Sequence, residues 1–208
     1  MPTDDFRHWH RLFGIALVDL FLNTPWQVEL EKELALQSQL LDVVIIQRVN
    51  DIQPLNFDLP DGLEGLCKHN LLTYKSLHEP LDAWAIEELI GHYINYRKLL
   101  GETTDDSDFQ LYAVATREPQ KLKQELAKNN SDLIPTNKSG IFDIQWGTRI
   151  IRLIVLSQIA EQVHNIPWEL FSSNMKRFQH GVKITEHIIP MRSNYFIICI
   201  SVIYFTPP

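Results

Sequence analysis

The chain predicts a single α/β domain with a mixed central β-sheet flanked by helices, and three observations lead there. The run Leu40 to Ile46 is apolar without alternation and rich in β-branched residues, as a strand covered on both faces is. A second strand-like run, Asn70 to Ser76, leads into a strongly periodic helix from Leu81 to Leu100. The remaining segments add a strand, a short helix and a pair of strands joined by a tight break, an alternation typical of α/β domains. With 208 residues, 45% hydrophobic and 22% charged, the chain is long enough to bury a sizeable core.

The elements follow in order. Trp9, Leu12, Phe13, Ala16, Leu17 and Leu20 recur at three-and-four spacing, so 6–22 is an amphipathic helix that ends at Asn23-Thr24-Pro25. Trp26 to Leu36 alternates in part, with Val28, Leu30, Leu34 and Leu36 against Glu29, Glu31 and Glu33, which fits a half-solvated strand with an acidic face. The uninterrupted run Leu40 to Ile46 is expected to be central in the sheet. Pro54, Pro60, Gly62 and Gly65 make 48–68 a long connection with at most a short turn of helix. Asp82 is a candidate N-cap for the long helix, and Gly101 a stop at its other end. Phe109 to Thr116 reads as a strand and Pro119 to Lys128 as a short charged helix. Ile141 to Trp146 and Ile150 to Leu156 are two strands joined at Gly147-Thr148, and Pro167 to Gln179 is a last helix. One domain over 1–183 results, followed by a tail, 184–208, whose charge-free stretch Tyr195 to Phe205 is expected to be a strand, the alternative being a membrane-surface or partner-docking segment. Eleven residues are too few to cross a bilayer as a helix, which takes about twenty.

A formal net charge of −7 excludes a generic basic coat for nucleic acid, although basic residues lining one groove remain compatible with it. Cys67 and Cys199 are far apart and have no CxxC spacing, so neither a disulfide framework nor a zinc site is indicated. The acidic start, Met1-Pro2-Thr3-Asp4-Asp5, has none of the features of a signal peptide, and a cytoplasmic protein without membrane contact is the expectation.

The residues that could carry chemistry sit between 40 and 76. Asp42 lies in an apolar strand, where a carboxylate is costly unless a cation or hydrogen-bond donors compensate it. A metal ion would do so; an arginine or a strand end open to water would too. Lys75 ends the next strand and shares a face with Thr73 and Leu71 by the period of two. A lysine facing a carboxylate across one sheet can orient a water and stabilise the charge of a pentavalent phosphate.

Asp42 on one strand and Lys75 in Leu72-Thr73-Tyr74-Lys75-Ser76 on the next resemble the PD-(D/E)XK nuclease superfamily. The likeness is closest to its bacterial and cyanobacterial branch of recombination-promoting nucleases and transposases. Leu81-Asp82 entering a helix, Leu111 to Val114, Ile141 to Ile144 and Ile151 to Val155 follow the order of elements in that branch, over roughly 6–180. The resemblance implies a restriction-endonuclease-like core, Mg²⁺ or Mn²⁺ as cofactor, DNA as substrate and partner, a homodimer as one assembly, and phosphodiester hydrolysis as the reaction. Asp42, Thr73 and Lys75 then stand at the catalytic positions.

Thr73 departs from the pattern, because a glutamate belongs there. A hydroxyl in its place is an uncharged ligand, and Mg²⁺ prefers carboxylates and water. A displaced carboxylate could serve instead: Glu31 on the preceding strand, or Glu87 or Glu88 near the start of the long helix. These glutamates read equally well as the solvated faces of their elements. If none serves, the resemblance implies an inactive nuclease-fold module that binds nucleic acid or protein. Gln47 and Gln145 could face a substrate, and Arg149, Arg152, Lys176, Arg177 and Lys183 could follow a phosphate chain if they are gathered. His8, His10, His69, His78 and His92 show no metal-binding spacing and read as surface or capping residues.

Overall fold

A computed structural model describes residues 4–30, 43–49, 57–101 and 104–188. Five helices and a seven-stranded sheet make up these residues: α1 Asp4–Leu20, β1 Trp26–Leu30, β2 Val44–Arg48, β3 His69–Lys75, α2 Ala83–Leu100, β4 Phe109–Ala115, α3 Gln120–Lys128, β5 Ile134–Pro135, β6 Ile141–Trp146, β7 Arg149–Val155, α4 Ile166–Glu169 and α5 Met175–Ile188. The strand order is β1-β2-β3-β4-β7-β6-β5. β1, β2 and β3 pair antiparallel, β3, β4 and β7 run parallel, and β7, β6 and β5 are antiparallel again. The sheet is therefore mixed, as expected.

The sheet separates two apolar layers. On one face Val44, Ile46, Leu72, Tyr74, Val114 and Ile154 pack with Phe13 and Leu17 of α1, Trp168 of α4 and Phe178 of α5. On the other, Val43, Ile45, Leu71, Ala113 and Leu153 pack with Ile86, Leu89, Tyr93 and Tyr96 of α2 and with Leu122 and Leu126 of α3. β3 has partners on both edges and apolar cover on both faces, which is why His69 to Tyr74 are all buried. α2 keeps its expected bounds: the Asp82 carboxylate accepts from the Ala85 amide, and Gly101 takes a φ of +89° beyond the last turn. Gly147, at φ +59°, gives the two-residue β6–β7 turn the left-handed start such a hairpin needs.

Two expectations change and one strand is added. The strand placed at 40–46 is described from Val44 to Arg48, and it is second from the sheet edge, not central. An uninterrupted apolar run reports cover on both faces and says nothing of position across the sheet. The helix expected over Pro167 to Gln179 is two helices, because Asn174 ends the break between them and its side chain accepts from the Lys176 amide to start α5. β5, two residues with a proline, gave no apolar pattern. The long connection is as expected where it is described: 57–68 form turns, and 50–56 lie outside the described residues. β1 is described to Leu30, so the rest of the acidic strand, Glu31 included, lies outside the described residues, as does the strand expected at 195–205. No helix among the described residues is long and apolar enough to cross a membrane.

A buried carboxylate ties distant segments onto this frame. Asp61, 4% exposed, accepts from Lys138 Nζ at 2.6 Å, Asn165 Nδ2 at 2.6 Å and, at 3.1 Å, pairs with His164 Nε2. Its amide and carbonyl are also used, by Asn165 Oδ1 and the Trp168 indole. Burial opposes its ionisation, yet these donors and the Lys138 charge hold the carboxyl below its usual range. Removing it strands several donors at once, so Asp61→Ala should cost roughly 2–4 kcal/mol in chemical denaturation. A cost below about 1 kcal/mol would mean that water replaces these contacts.

Candidate functional site at the carboxyl end of β3

Parallel strands place ligands beyond their carboxyl ends, and here those ends are Lys75, Ala115 and Val155. Chain continues across them in register, with the Thr116 amide donating to the Lys75 carbonyl at 3.2 Å and the Ser157 amide to the Thr116 carbonyl at 3.1 Å. Lys75 is half-buried, and its ammonium makes no hydrogen bond or ion pair among the described residues. By strand alternation it shares the α2 face with Leu71 and Thr73. Thr73 is 4% exposed and likewise makes no side-chain hydrogen bond among the described residues.

Charged groups flank the strand end on both sides. On the α2 side, Asp82 accepts from Lys121 Nζ at 2.5 Å as well as capping the helix. Burial alone would raise its pKa, but the bonds from Lys121 and the Ala85 amide, with the charges of Lys121 and Lys75, hold it low. Asp82 is thus within electrostatic reach of Lys75. Glu125 accepts from the Ala83 amide at 2.7 Å and completes the first turn of α2. On the α1 side, Glu79 accepts from the Ser76 hydroxyl at 2.8 Å and amide at 3.2 Å, and lies 3.3 Å from His10 Nε2. Next to it the Tyr74 hydroxyl meets Thr116 Oγ1 at 3.0 Å.

Asp42 and Glu31 lie outside the described residues. Glu87 and Glu88 are exposed on the side of α2 turned away from its buried stripe, and Glu88 accepts from the Trp84 indole at 2.9 Å. Lys75 and Thr73 are therefore together, and neither glutamate of α2 contacts them. Among the described residues no three His, Cys, Asp or Glu converge on a cation position. The shell that Mg²⁺ requires is not supplied by these residues alone. Gln47 is half-buried opposite His69 in β2, and Gln145 is exposed and donates to the Gly147 carbonyl. The basic residues are engaged separately: Arg149 with Asp106, Arg152 with Asp143, and Arg177 with the carbonyls of Leu156 and Ile159. Two histidines are neither surface nor capping residues. His69 is buried against Tyr96 and Phe109, and His10 joins Glu79.

Sequence reasoning missed Glu79, since its partner stands 69 residues away and nothing local marks the pair. It found Asp82 only as a cap. The Asp82 signal was available, because a residue capping the helix directly after the lysine strand has to lie near that strand's end.

No protein-family model, curated protein or solved structure matches the chain.

The Glu79 cluster gives a pH signature. Burial raises the Glu79 pKa, but His10 and Ser76 outweigh it and bring it from 4.5 down to about 2. A carboxylate with a depressed folded pKa stabilises the fold above its unfolded pKa and loses that contribution as pH falls through the folded value. Wild type should exceed Glu79→Gln by about 1–2 kcal/mol at neutral pH, after allowance for partial exposure. Urea denaturation should show that difference shrinking between pH 4.5 and about 2. A difference independent of pH across that window would contradict the ion pair.

Proposed function

We propose that the chain is a metal-dependent phosphodiesterase of the endonuclease kind, hydrolysing DNA with Mg²⁺ or Mn²⁺. One observation carries the reading. Lys75 ends a buried strand with its ammonium unpaired among the described residues. That strand lies beside β2, and Asp42 stands two positions before β2 in sequence. The order α1-β1-β2-β3-α2-β4, three antiparallel strands and then a parallel one beyond a helix, supports a restriction-endonuclease-like core.

When bound, Mg²⁺ or Mn²⁺ would supply Lewis acidity for an attacking water and positive charge beside the phosphate. Asp42 would hold it, with Glu31 as the second acid. Lys75 contributes a fixed positive charge where negative charge develops on the phosphoryl oxygens, and the half-buried setting strengthens that interaction relative to bulk water. Asp82 restrains the lysine end of the strand electrostatically. Thr73 offers a hydroxyl oxygen without charge. The test is relaxation of supercoiled plasmid by clean protein with Mg²⁺ or Mn²⁺. Lys75→Ala and Asp42→Ala should each lower the rate by about 100-fold or more while the protein stays folded. Absence of cleavage with either metal would overturn the reading.

Thr73 favours a second reading, a nuclease-fold module that binds nucleic acid or protein without cutting. Its buried, uncharged side chain occupies the position where the resembled family carries an acid. Under that reading wild type cuts nothing and takes up no Mg²⁺ in calorimetry, whereas Thr73→Glu gains Mg²⁺ uptake. Metal uptake by the unaltered chain would contradict it.

A further inference from the structure

Glycine is among the poorest helix formers, so a glycine inside a helix needs a reason. Two of the mid-helix glycines have one within the chain. A Cβ on Gly14 would collide with the Leu30 side chain, and one on Gly181 would meet Glu169 Cβ at 3.0 Å. Gly91, in the middle of α2, has none: a Cβ there meets nothing within 4 Å. The bare stretch of backbone it creates faces away from the sheet, because the buried stripe of α2 is Ala85, Ile86, Leu89, Tyr93 and Tyr96.

The same outer face carries Trp84, 67% exposed, with its ring fixed by the indole bond to Glu88. It also carries Glu87, Asn95 and Lys98, all exposed. None of these last three makes a side-chain hydrogen bond or ion pair among the described residues. Their spacing is symmetric about Gly91: Trp84 and Lys98 each stand seven residues from it, and Glu87 and Asn95 each stand four. Two copies of a helix crossing antiparallel on a twofold axis at Gly91 place residue 91−k of one opposite 91+k of the other. Trp84 would then lie under the partner's Lys98, a cation–π contact, and Glu87 would accept from the partner's Asn95, each contact made twice. Without a side chain at position 91 the two backbones can approach closely at the crossing.

We propose that the outer face of α2 is a self-complementary docking surface for a second copy of this chain, with Gly91 at the crossing point. The surface is the solvent side of α2, opposite the stripe packed on the sheet, and the inference is independent of the nuclease reading. A contact the size of one helix face is small, so the dimer is weak, with a Kd on the order of 10–100 µM.

Sedimentation equilibrium of the full chain tests it. Wild type should associate over that range, and Gly91→Arg and Trp84→Ala should each weaken association about tenfold or more with circular dichroism unchanged. Gly91→Ala should raise the melting temperature measured at low concentration by about 1–4 °C, yet weaken the dimer. A glycine kept for the monomer's own packing would lower both. Mixing Trp84→Cys with Lys98→Cys should give an interchain disulfide. The proposal is overturned by a monomer at about 200 µM, by a dimer insensitive to Gly91→Arg, or by Trp84→Cys crosslinking only to itself.

Discussion

β3 is bonded along both edges, antiparallel to β2 and parallel to β4, and is buried from His69 to Tyr74. Its direction therefore fixes which end of the sheet gathers chemistry. The parallel partner places the end of β4, and through it that of β7, beside Lys75, and the turn that leaves β3 for α2 keeps the cap Asp82 at the same end. A strand covered on two faces and two edges cannot slip by one residue without turning Leu71 and Leu72 to the wrong layers. The position of Lys75 is a consequence of that register. A polar residue at the end of such a strand is held as firmly as the apolar ones before it.

Around this spine the structure places three carboxylate–imidazole pairs: Glu79 with His10, Asp61 with His164, and Glu169 with His180. Each joins segments that are not neighbours in the sheet, namely α1 to the β3–α2 turn, the loop before β3 to the approach to α4, and α4 to α5. Burying a carboxylate is unfavourable unless donors surround it. Asp61 and Glu169 are 4% and 1% exposed, and both have such partners. The pairs therefore act as specific ties between segments that apolar packing alone would leave free to slide. All three lie on the α1, α4 and α5 side of the sheet, whereas Lys75 and Asp82 lie on the α2 side, so tying and candidate chemistry are divided between the two faces.

Much of the fold was legible because its signals are local. The periodicity of α2, its Asp82 cap and Gly101 stop, and the break at Gly147 each depend on a few adjacent residues, and each falls where the sequence places it. The position of β2 within the sheet, the break between α4 and α5 and the two-residue β5 were not legible, since pairing order and short edge strands are set by contacts far along the chain. The candidate site divides in the same way. Lys75 and Thr73 were singled out by the resemblance and by strand alternation, and both fall in β3. Glu79, Asp61 and Glu169 were not found, because their histidines are supplied by other elements. Glu88 looked like a spare ligand in sequence, and its hydrogen bond to Trp84 gives it a different employment.

If Lys75 and Asp42 share a metal-bearing site at the end of β3, as proposed, an ion bound there lies close to the Lys75 ammonium. Mn²⁺ titrated into protein labelled at lysine nitrogen tests it directly, through paramagnetic broadening of the ammonium signals. Lys75 should broaden first among the lysines, and Asp42→Ala should remove the effect. Uniform broadening of all lysines, or a selective effect centred on another lysine that survives Asp42→Ala, would contradict it.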